Sequence, residues 1–305
     1  MQPIAIAGGD LEVEVLPELG ARLHRLCAFG HDVLRTPGDL RAHAREPVFW
    51  GSYVMAPWCN RLEAGVPLAV GSRTVELPAN FPDGTAIHGQ VFTRPWRVEG
   101  PGAFSIRGGG GGWPWDYEVR QRAVTSGATL RLEYTLTNVS DEPMPAGIGI
   151  HPWFRRPLRL AIHAERVHQA NVAAAREPAP VGGLFDLRRM RDVPDDLDGC
   201  WTDVADPPVE LEWPTVGVRA TMRAAVSVDP PGPIDTERLL HVVMASPRTL
   251  DAVGVEPQTN APQGLRRFLA GAPGGLVALD PGGSLRLGIA LVFERADAAP
   301  VPRAA

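Results

Sequence analysis

Hydrophobic and polar residues alternate with a period of two through much of the 305-residue chain. The stretch Leu11-Glu-Val-Glu-Val-Leu16 has this pattern, and so do residues 129–136 and 284–293. A period of two predicts strands that bury one face and expose the other. Such segments recur between Gly and Pro turns, and helical periodicity is rare, so the pattern predicts an all-β sandwich or barrel.

The other predicted elements are short. Further strands are expected at residues 23–26, 32–35, 73–77, 96–99, 117–124, 209–213 and 216–222. Residues 39–45 and 186–192 are predicted to form two short helices. The glycine run at 108–112 lacks the Lys-Ser/Thr pair of a phosphate-binding loop, so we predict a hairpin connection there.

Two titratable residues share an unusual setting. The stretch Ala146-Gly-Ile-Gly-Ile-His-Pro-Trp-Phe154 ends an apolar run at His151, and Pro152 biases the backbone of that histidine towards an extended conformation. The stretch Val253-Gly-Val-Glu-Pro257 repeats the arrangement with Glu256. We predict that both residues lie at strand ends, where a rigid imidazole and a carboxylate can act as a general acid/base pair.

Three more residues are candidates for binding. Arg61 has mainly apolar neighbours in the sequence, so it must either be ion-paired or face a ligand. His88 precedes Gly89, which allows close approach of the backbone. Asp198 lies among the acids of residues 195–202, a predicted loop that could hold sugar hydroxyls or be solvated surface. The spacing of those acids does not match a calcium-binding loop.

Overall composition excludes several classes of protein. The chain has no lysine, which excludes Schiff-base enzymes, pyridoxal-phosphate enzymes and standard P-loop NTPases. The net charge is −5, and no basic stripe alternates with aromatic residues, so we expect no nucleic-acid partner. No apolar run approaches the length of a membrane span, and the N-terminus does not resemble a signal peptide. We therefore expect a cytoplasmic protein without a membrane partner.

The chain shows no sign of division into separate units. No repeat, linker or shift in composition marks a boundary, so we predict one domain over residues 1–295 and a disordered tail over 296–305. The three cysteines, Cys27, Cys59 and Cys200, have no paired spacing. This argues against a disulfide framework and a structural zinc site, and we expect all three to be small buried side chains.

Taken in order, these motifs resemble the aldose 1-epimerase (galactose mutarotase) family. The resemblance rests on Asn60-Arg61, His88-Gly89, Leu132-Glu-Tyr-Thr-Leu-Thr-Asn-Val-Ser-Asp141, His151-Pro-Trp-Phe154, Leu197-Asp-Gly-Cys-Trp201, Val255-Glu-Pro257 and Leu279-Asp-Pro-Gly-Gly-Ser-Leu-Arg286. It implies a large antiparallel β-sandwich, the supersandwich of that family, with few short helices. It further implies that His151 is the general acid, that Glu256 is the general base, and that Arg61, His88 and Asp198 bind a monosaccharide. No cofactor or metal is implied, and we expect a monomer or a homodimer.

The chain departs from the commonest family pattern at two positions. Trp153 stands where tyrosine is usual, and Gln90 follows the His-Gly pair where glycine is common. Neither change removes a group that the chemistry needs. The departures therefore concern which sugar is bound rather than whether the reaction is possible.

The resemblance implies interconversion of the α and β anomers of a free aldose by an isomerase. A base takes the proton of the anomeric hydroxyl, an acid protonates the ring oxygen, and the opened sugar rotates about C1–C2 before it closes again. One alternative is a mutarotase for phosphorylated hexoses, which would need a basic cluster at the pocket mouth, with Arg155 and Arg156 as candidates. Another is a non-catalytic sugar-binding or regulatory protein, although such a protein has no need of both His151 and Glu256.

Overall fold

Regular structure in the chain is almost entirely β. The computed structural model describes residues 1–169, 177–232 and 235–296. Within these ranges there are two short α-helices, α1 (Ala42–Arg45) and α2 (Gly264–Leu269), and 3₁₀ turns at Gly183–Phe185 and Thr236–Leu239. None of the helices in the described ranges is long and apolar enough to cross a membrane.

The strands are numbered in chain order. Those before residue 140 are β1 (Ile4–Gly8), β2 (Leu11–Leu16), β3 (Arg22–Ala28), β4 (His31–Asp32), β5 (Ser52–Met55), β6 (Arg61–Leu62), β7 (Leu68–Val70), β8 (Arg73–Val75), β9 (Ala86–Ile87), β10 (Arg97–Gly100), β11 (Ala103–Gly110), β12 (Trp113–Ser126) and β13 (Thr129–Asn138). Those that follow are β14 (Met144–Ala146), β15 (Gly149–Arg155), β16 (Arg159–Gln169), β17 (Ala179–Pro180), β18 (Arg191–Asp192), β19 (Asp198–Trp213), β20 (Val218–Asp229), β21 (His241–Ala245), β22 (Ala252–Gln258), β23 (Val277–Leu279) and β24 (Ser284–Arg295).

Eighteen of these strands form one sheet, which contains two runs of consecutively paired strands. The two runs meet at the long strand β19. One edge of β19 pairs with β16, while the other edge pairs with β21 through residues 198–201 and with β20 through residues 209–213. From β20 the sheet continues through β24, β13, β12, β11 and β10. From β21 it continues through β22, β15, β5, β3, β2 and β1. These strand pairs are all antiparallel.

The sheet curls so that its two runs approach each other. The backbone N–H of Asp10, between β1 and β2, donates to the carbonyl of Gly127, between β12 and β13. Alternation along the strands supplies the buried face: Leu130 and Leu132 of β13 are buried, whereas Arg131 between them is exposed. Complete burial of one such leucine contributes about 1.5–3 kcal/mol, so each buried position of the period-two pattern stabilises the core.

The predicted all-β antiparallel architecture with few short helices is confirmed. The glycine run lies in a hairpin as predicted, because Gly110 of β11 pairs with Trp113 of β12. The three cysteines are buried and free. The single-domain boundaries stay a prediction, and residues 297–305 of the predicted tail lie outside the described residues.

The helix predictions were less accurate. Only Ala42–Arg45 of the first predicted helix is helical. The prediction for residues 186–192 was wrong, because this segment is not helical: it bends at residues 188–189 and ends in β18, which pairs with β16. The N–H of Ile162 donates to the carbonyl of Leu187, whose side chain is fully buried, and β18 pairs with the start of β16. The short helix α2 was not predicted, since six residues are too few to show helical periodicity.

Candidate active site

His151 and Glu256 face each other from neighbouring strands. Strands β15 and β22 pair at Gly149–Gln258 and again at Trp153–Gly254, with the ladder interrupted between these two pairs. Continuing the register places His151 opposite Glu256, and the two side chains meet with Nε2 of the histidine 3.1 Å from Oε1 of the glutamate.

Both residues lie within strands, so the prediction that they lie at strand ends was wrong. Each is followed by proline, which has no backbone N–H to donate to a ladder. The interruption between β15 and β22 contains both of these prolines, Pro152 and Pro257. The repeated titratable-residue–proline motif therefore marks a local opening inside the sheet.

Two aromatic rings hold the imidazole of His151 in place. Tyr53 stacks on it with ring centroids 4.9 Å apart, and Trp153 packs against it at 4.7 Å. The Tyr53 hydroxyl and the Trp153 indole N–H both donate to the carbonyl of Val48, at 3.2 and 2.6 Å. This single carbonyl therefore fixes both rings, which in turn limit rotation of the histidine.

A buried arginine supports this aromatic clamp from behind. Arg22 is fully buried, and its guanidinium carbon lies 5.3 Å from the centroid of the Tyr53 ring. The guanidinium donates to the carbonyls of Leu19, Pro47 and Phe92, so it anchors the residue that precedes Val48. Burial lowers the pKa of Arg22 to about 10, which still leaves the group charged at neutral pH.

His88 is held in one tautomer by its local backbone. Its Nδ1 accepts the N–H of Asn60 at 3.3 Å, and burial lowers its pKa well below the ordinary value. The neutral ring therefore carries its proton on Nε2 and can donate it to a ligand. The predicted close approach at Gly89 is present, because a Cβ there would overlap the carbonyl of Ala56.

Arg61 is both ion-paired and placed to meet a ligand. Its Nε lies 2.8 Å from Oδ2 of Asp83, and its guanidinium lies over the ring of Phe81 at 5.4 Å. The sequence offered two alternatives for Arg61, an ion pair or a place facing a ligand. They are compatible, since the paired guanidinium also lines the cavity described below.

The acids at residues 195–202 have different partners. Asp195 pairs with Arg156, and Asp196 pairs with Arg248. Asp198 is the first residue of β19, so the predicted loop ends there and residues 198–202 form a strand. Burial raises the pKa of Asp198.

All five predicted site residues line one cavity of about 260 Å³. Its walls include the predicted residues Arg61, His88, His151, Asp198 and Glu256. Ligand pockets commonly span about 300–1,000 Å³, so this volume suits a small ligand.

Burial governs the charges of the His151–Glu256 pair. It lowers the pKa of His151 to about 3 and raises the pKa of Glu256 well above its ordinary value, with Asp198 adding to the second effect. Both groups therefore favour their neutral forms. The neutral pair and the carboxylate–imidazolium pair contain the same number of protons, so their ratio does not depend on pH.

The same residues provide ligand atoms for a possible metal ion. One atom each from His88, His151 and Glu256 lie within 4.8 Å of one another. Two imidazoles and a carboxylate are common zinc ligands, and they are also the groups of acid/base catalysis.

Sequence reasoning missed several residues that shape the cavity. Tyr53 follows a glycine and a serine in an ordinary apolar strand, and nothing local marks its stacking on His151. Asp83 was part of a Phe-Pro-Asp-Gly turn, where an acid is unremarkable. Its pairing with Arg61 depends on the fold.

Fold and site together define an antiparallel all-β protein with a buried histidine–glutamate pair in a small cavity. The sequence model of the aldose 1-epimerase family matches residues 4–201. Since this is more than half of the chain, the chain belongs to the aldose 1-epimerase family. The matched region includes His151 and ends before Glu256.

Solved structures of similar fold agree with this placement. A galactose mutarotase-like protein from Clostridium acetobutylicum has a TM-score of 0.79 and 18% identity, covering 96% of this chain and 95% of its own. An aldose epimerase homologue from C. elegans has a TM-score of 0.77 and 16% identity, with 97% and 99% covered. Galactose 1-epimerase from Lactobacillus acidophilus NCFM has a TM-score of 0.71 and 18% identity, with 97% and 95% covered. These likenesses establish the galactose mutarotase-like fold, and a search of curated proteins found no match.

Proposed function

We propose that the protein is an aldose 1-epimerase that interconverts the α and β anomers of a free aldose. The observation that carries this proposal is the 3.1 Å contact between His151 Nε2 and Glu256 Oε1 in the wall of the cavity. A general base and a general acid must lie within reach of the same small molecule, and these two groups do.

In the proposed reaction Glu256 is the base and His151 is the acid. The Glu256 carboxylate takes the proton of the anomeric hydroxyl as the C1–ring-oxygen bond breaks and a carbonyl forms at C1. The imidazolium of His151 gives its Nε2 proton to the ring oxygen. After rotation about C1–C2 the ring oxygen attacks the other face of C1, returns its proton to His151, and Glu256 reprotonates the new anomeric hydroxyl. The enzyme thus ends in its starting state.

The reactive form of the pair is the carboxylate–imidazolium form. Burial disfavours both charges, and Arg61 lowers the pKa of both groups, which favours the Glu256 carboxylate and opposes the His151 imidazolium. Hydroxyl groups of a bound sugar would solvate the two charges in place of the water that burial excludes. No proton from solvent is needed to reach the reactive form, because one proton moves from Glu256 to His151.

The other predicted residues are placed to bind the sugar. His88 offers an Nε2 proton as a donor, Arg61 offers a guanidinium, and Asp198 offers a carboxylate acceptor. The apolar face of a sugar ring would pack on Tyr53 or Trp153, which also line the cavity. Donors, acceptors and aromatic surface are the usual composition of a small-ligand pocket.

The cavity favours a free sugar over a phosphorylated one. Arg61 is the one arginine among the described lining residues, whereas Asp196, Asp198 and Glu256 are acidic. Neither Arg155 nor Arg156, the candidates for a phosphate-binding cluster, lines the cavity. Fresh α-D-galactose, α-D-glucose and glucose 6-phosphate can be compared by polarimetry, and we expect faster equilibration of a free sugar than of the phosphate.

Replacing Arg61 with alanine is expected to weaken sugar binding about tenfold or more, because a hydrogen bond to a charged group contributes about 1.5–3 kcal/mol. Isothermal titration with the best free sugar measures the change. Arg45→Ala is a suitable control, since Arg45 is also ion-paired to an aspartate but lies away from the cavity. Unchanged affinity in folded Arg61→Ala would remove this residue from the binding site.

Removal of metal ions is expected to leave anomer exchange unchanged. The proposed proton transfers use His151 and Glu256 alone, although their atoms and one of His88 lie close enough to hold an ion. The rate should be measured before and after dialysis against EDTA, with metal content checked by mass spectrometry. A loss of rate that one particular metal restores would contradict acid/base catalysis by the free pair.

A further inference from the structure

A second, larger cavity lies on the same face of the sheet as the candidate active site. Its volume is about 660 Å³, and it is bordered by β16, β19, β21 and the segment around α2. The polar lining residues include Arg166, His168, Thr202, His241 and Arg267. None of these residues belongs to the first cavity.

Strand register gives the separation of the two cavities. Glu256 pairs with Val243, Val243 with Cys200, and Cys200 with His168, so these four residues form one row across β22, β21, β19 and β16. Three strand spacings of about 4.8 Å place His168 roughly 14 Å from Glu256. Cys200, Val243 and Ala261 form a buried apolar cluster between the two sites. The second cavity is therefore separate from the first, and a monosaccharide in the first would not occupy it.

His241 provides the main indication that the second cavity binds a polar ligand. Its side chain is 2% exposed and lines the cavity, yet neither ring nitrogen has a hydrogen-bond partner within the described residues. A buried polar group left without a partner carries a free-energy cost. A ligand with oxygen atoms at this position would remove that cost.

Charges around the cavity indicate the sign of the ligand. Arg166, Arg238 and Arg267 line the cavity together with the acid Asp203, and Arg238 is ion-paired with Asp235 at 3.2 Å. Glu177 is a second acid close enough to influence Arg267. The buried guanidinium of Arg267 lies in the same wall as His241, and its positive charge favours an anion at that place.

Arg267 is oriented within this wall. It is nearly fully buried, and it donates to the carbonyls of Pro262 and Pro273 at 2.9 and 3.0 Å. Its third nitrogen lies 3.3 Å from Nδ1 of His168, and His168 lies beside His241 with ring centroids 6.5 Å apart. A guanidinium held in this way presents its charge at a fixed place beside His241.

We propose that the second cavity is a binding site for a small oxyanion, a phosphate or a carboxylate group, held by His241 beside Arg267. The imidazole N–H of His241 donates to an oxyanion oxygen, and Thr202, which is buried on the neighbouring β19, lies in the same lining. The positive charge of Arg267 compensates the charge of the ligand. This site is independent of the proposed epimerase activity, because it shares no residue with the first cavity.

The test is a titration of the folded full-length protein followed by NMR of its histidine side chains labelled with ¹⁵N. Inorganic phosphate and acetate are added separately at constant ionic strength, with sodium chloride as the reference. We expect a saturable shift of the His241 ring signals with at least one of the two anions, and the stronger of them identifies phosphate or carboxylate chemistry. His163, which is half-exposed on β16, serves as the internal control and should not shift in the same saturable way.

Two variants make the result specific to His241. His241→Gln retains polar atoms, and His241→Leu removes them. In either folded variant we expect anion affinity, measured by titration calorimetry, to fall about tenfold or more, consistent with loss of a hydrogen bond to a charged ligand. His163→Gln should bind as the wild type does. The proposal is overturned if neither anion shifts the His241 signals of the wild type, or if a neutral sugar shifts them and the anions do not.

Discussion

Glu256→Gln is expected to slow anomer exchange about 10²–10⁴-fold, the usual contribution of one positioned general base. Glutamine retains the size of the side chain and can still hydrogen-bond to His151, but it cannot accept a proton from the anomeric hydroxyl. Since burial and the neighbouring Asp198 already favour the neutral form of Glu256, the substitution should not destabilise the fold through lost ion pairing. Polarimetry and circular dichroism of the same sample separate loss of activity from loss of structure.

The chain contains a matched control for this substitution. His163 and Glu210 on β16 and β19 form a second histidine–glutamate pair, also with 3.1 Å between Nε2 and a carboxylate oxygen, but on the exposed surface. Glu210→Gln removes the same atoms from the same kind of pair and should leave the rate unchanged. Full activity in folded Glu256→Gln would exclude this residue as the base.

His151→Asn is expected to reduce the maximal rate by a similar factor of about 10²–10⁴, because the ring oxygen then has no acid to protonate it. Sugar affinity should change much less than the rate, since Arg61, His88 and Asp198 remain in the cavity wall. This division between rate and affinity distinguishes a catalytic histidine from a binding one. Titration calorimetry gives the affinity, and polarimetry gives the rate.

The control for the histidine is His163→Asn, which should be as active as the wild type. If folded His151→Asn kept its rate but lost its affinity, His151 would be a binding residue. That result would favour the alternative of a sugar-binding protein over an enzyme.

Local pattern predicted much of the fold. The alternation in β2, β13 and β24 is a property of a few consecutive residues, and the structure has strands at these places. The helix prediction for residues 186–192 was wrong because the conformation of this segment is imposed by a neighbouring strand rather than by its own sequence. Long-range pairing of this kind leaves no periodic signal.

The candidate site shows the same division between local and distant causes. His151 and Glu256 could each be singled out from the apolar run and the following proline. Their position opposite each other depends on the pairing of β15 with β22, which are far apart in sequence. The clamp formed by Tyr53, Trp153 and the Val48 carbonyl likewise depends on three separate segments. These contacts became visible only in the folded chain.

Family membership defines the scaffold of the protein, whereas the observed geometry supports roles for particular residues. The family match and the fold define the scaffold, and identities below 20% to the solved structures leave the activity to be measured. The proposed mechanism adds specific roles for His151 and Glu256. It also requires that the pair exchange one proton internally, because burial favours the neutral form of each group.

Anomer exchange followed by NMR tests the central claim most directly. Two-dimensional exchange spectra of D-galactose and D-glucose at equilibrium report interconversion of the α and β C1 protons without any coupled assay. With wild-type protein we predict exchange cross-peaks for at least one of these sugars, and with Glu256→Gln at the same concentration we predict their loss. Absence of enhanced exchange across a panel of free aldoses with the wild type, or undiminished exchange with folded Glu256→Gln, would contradict the account.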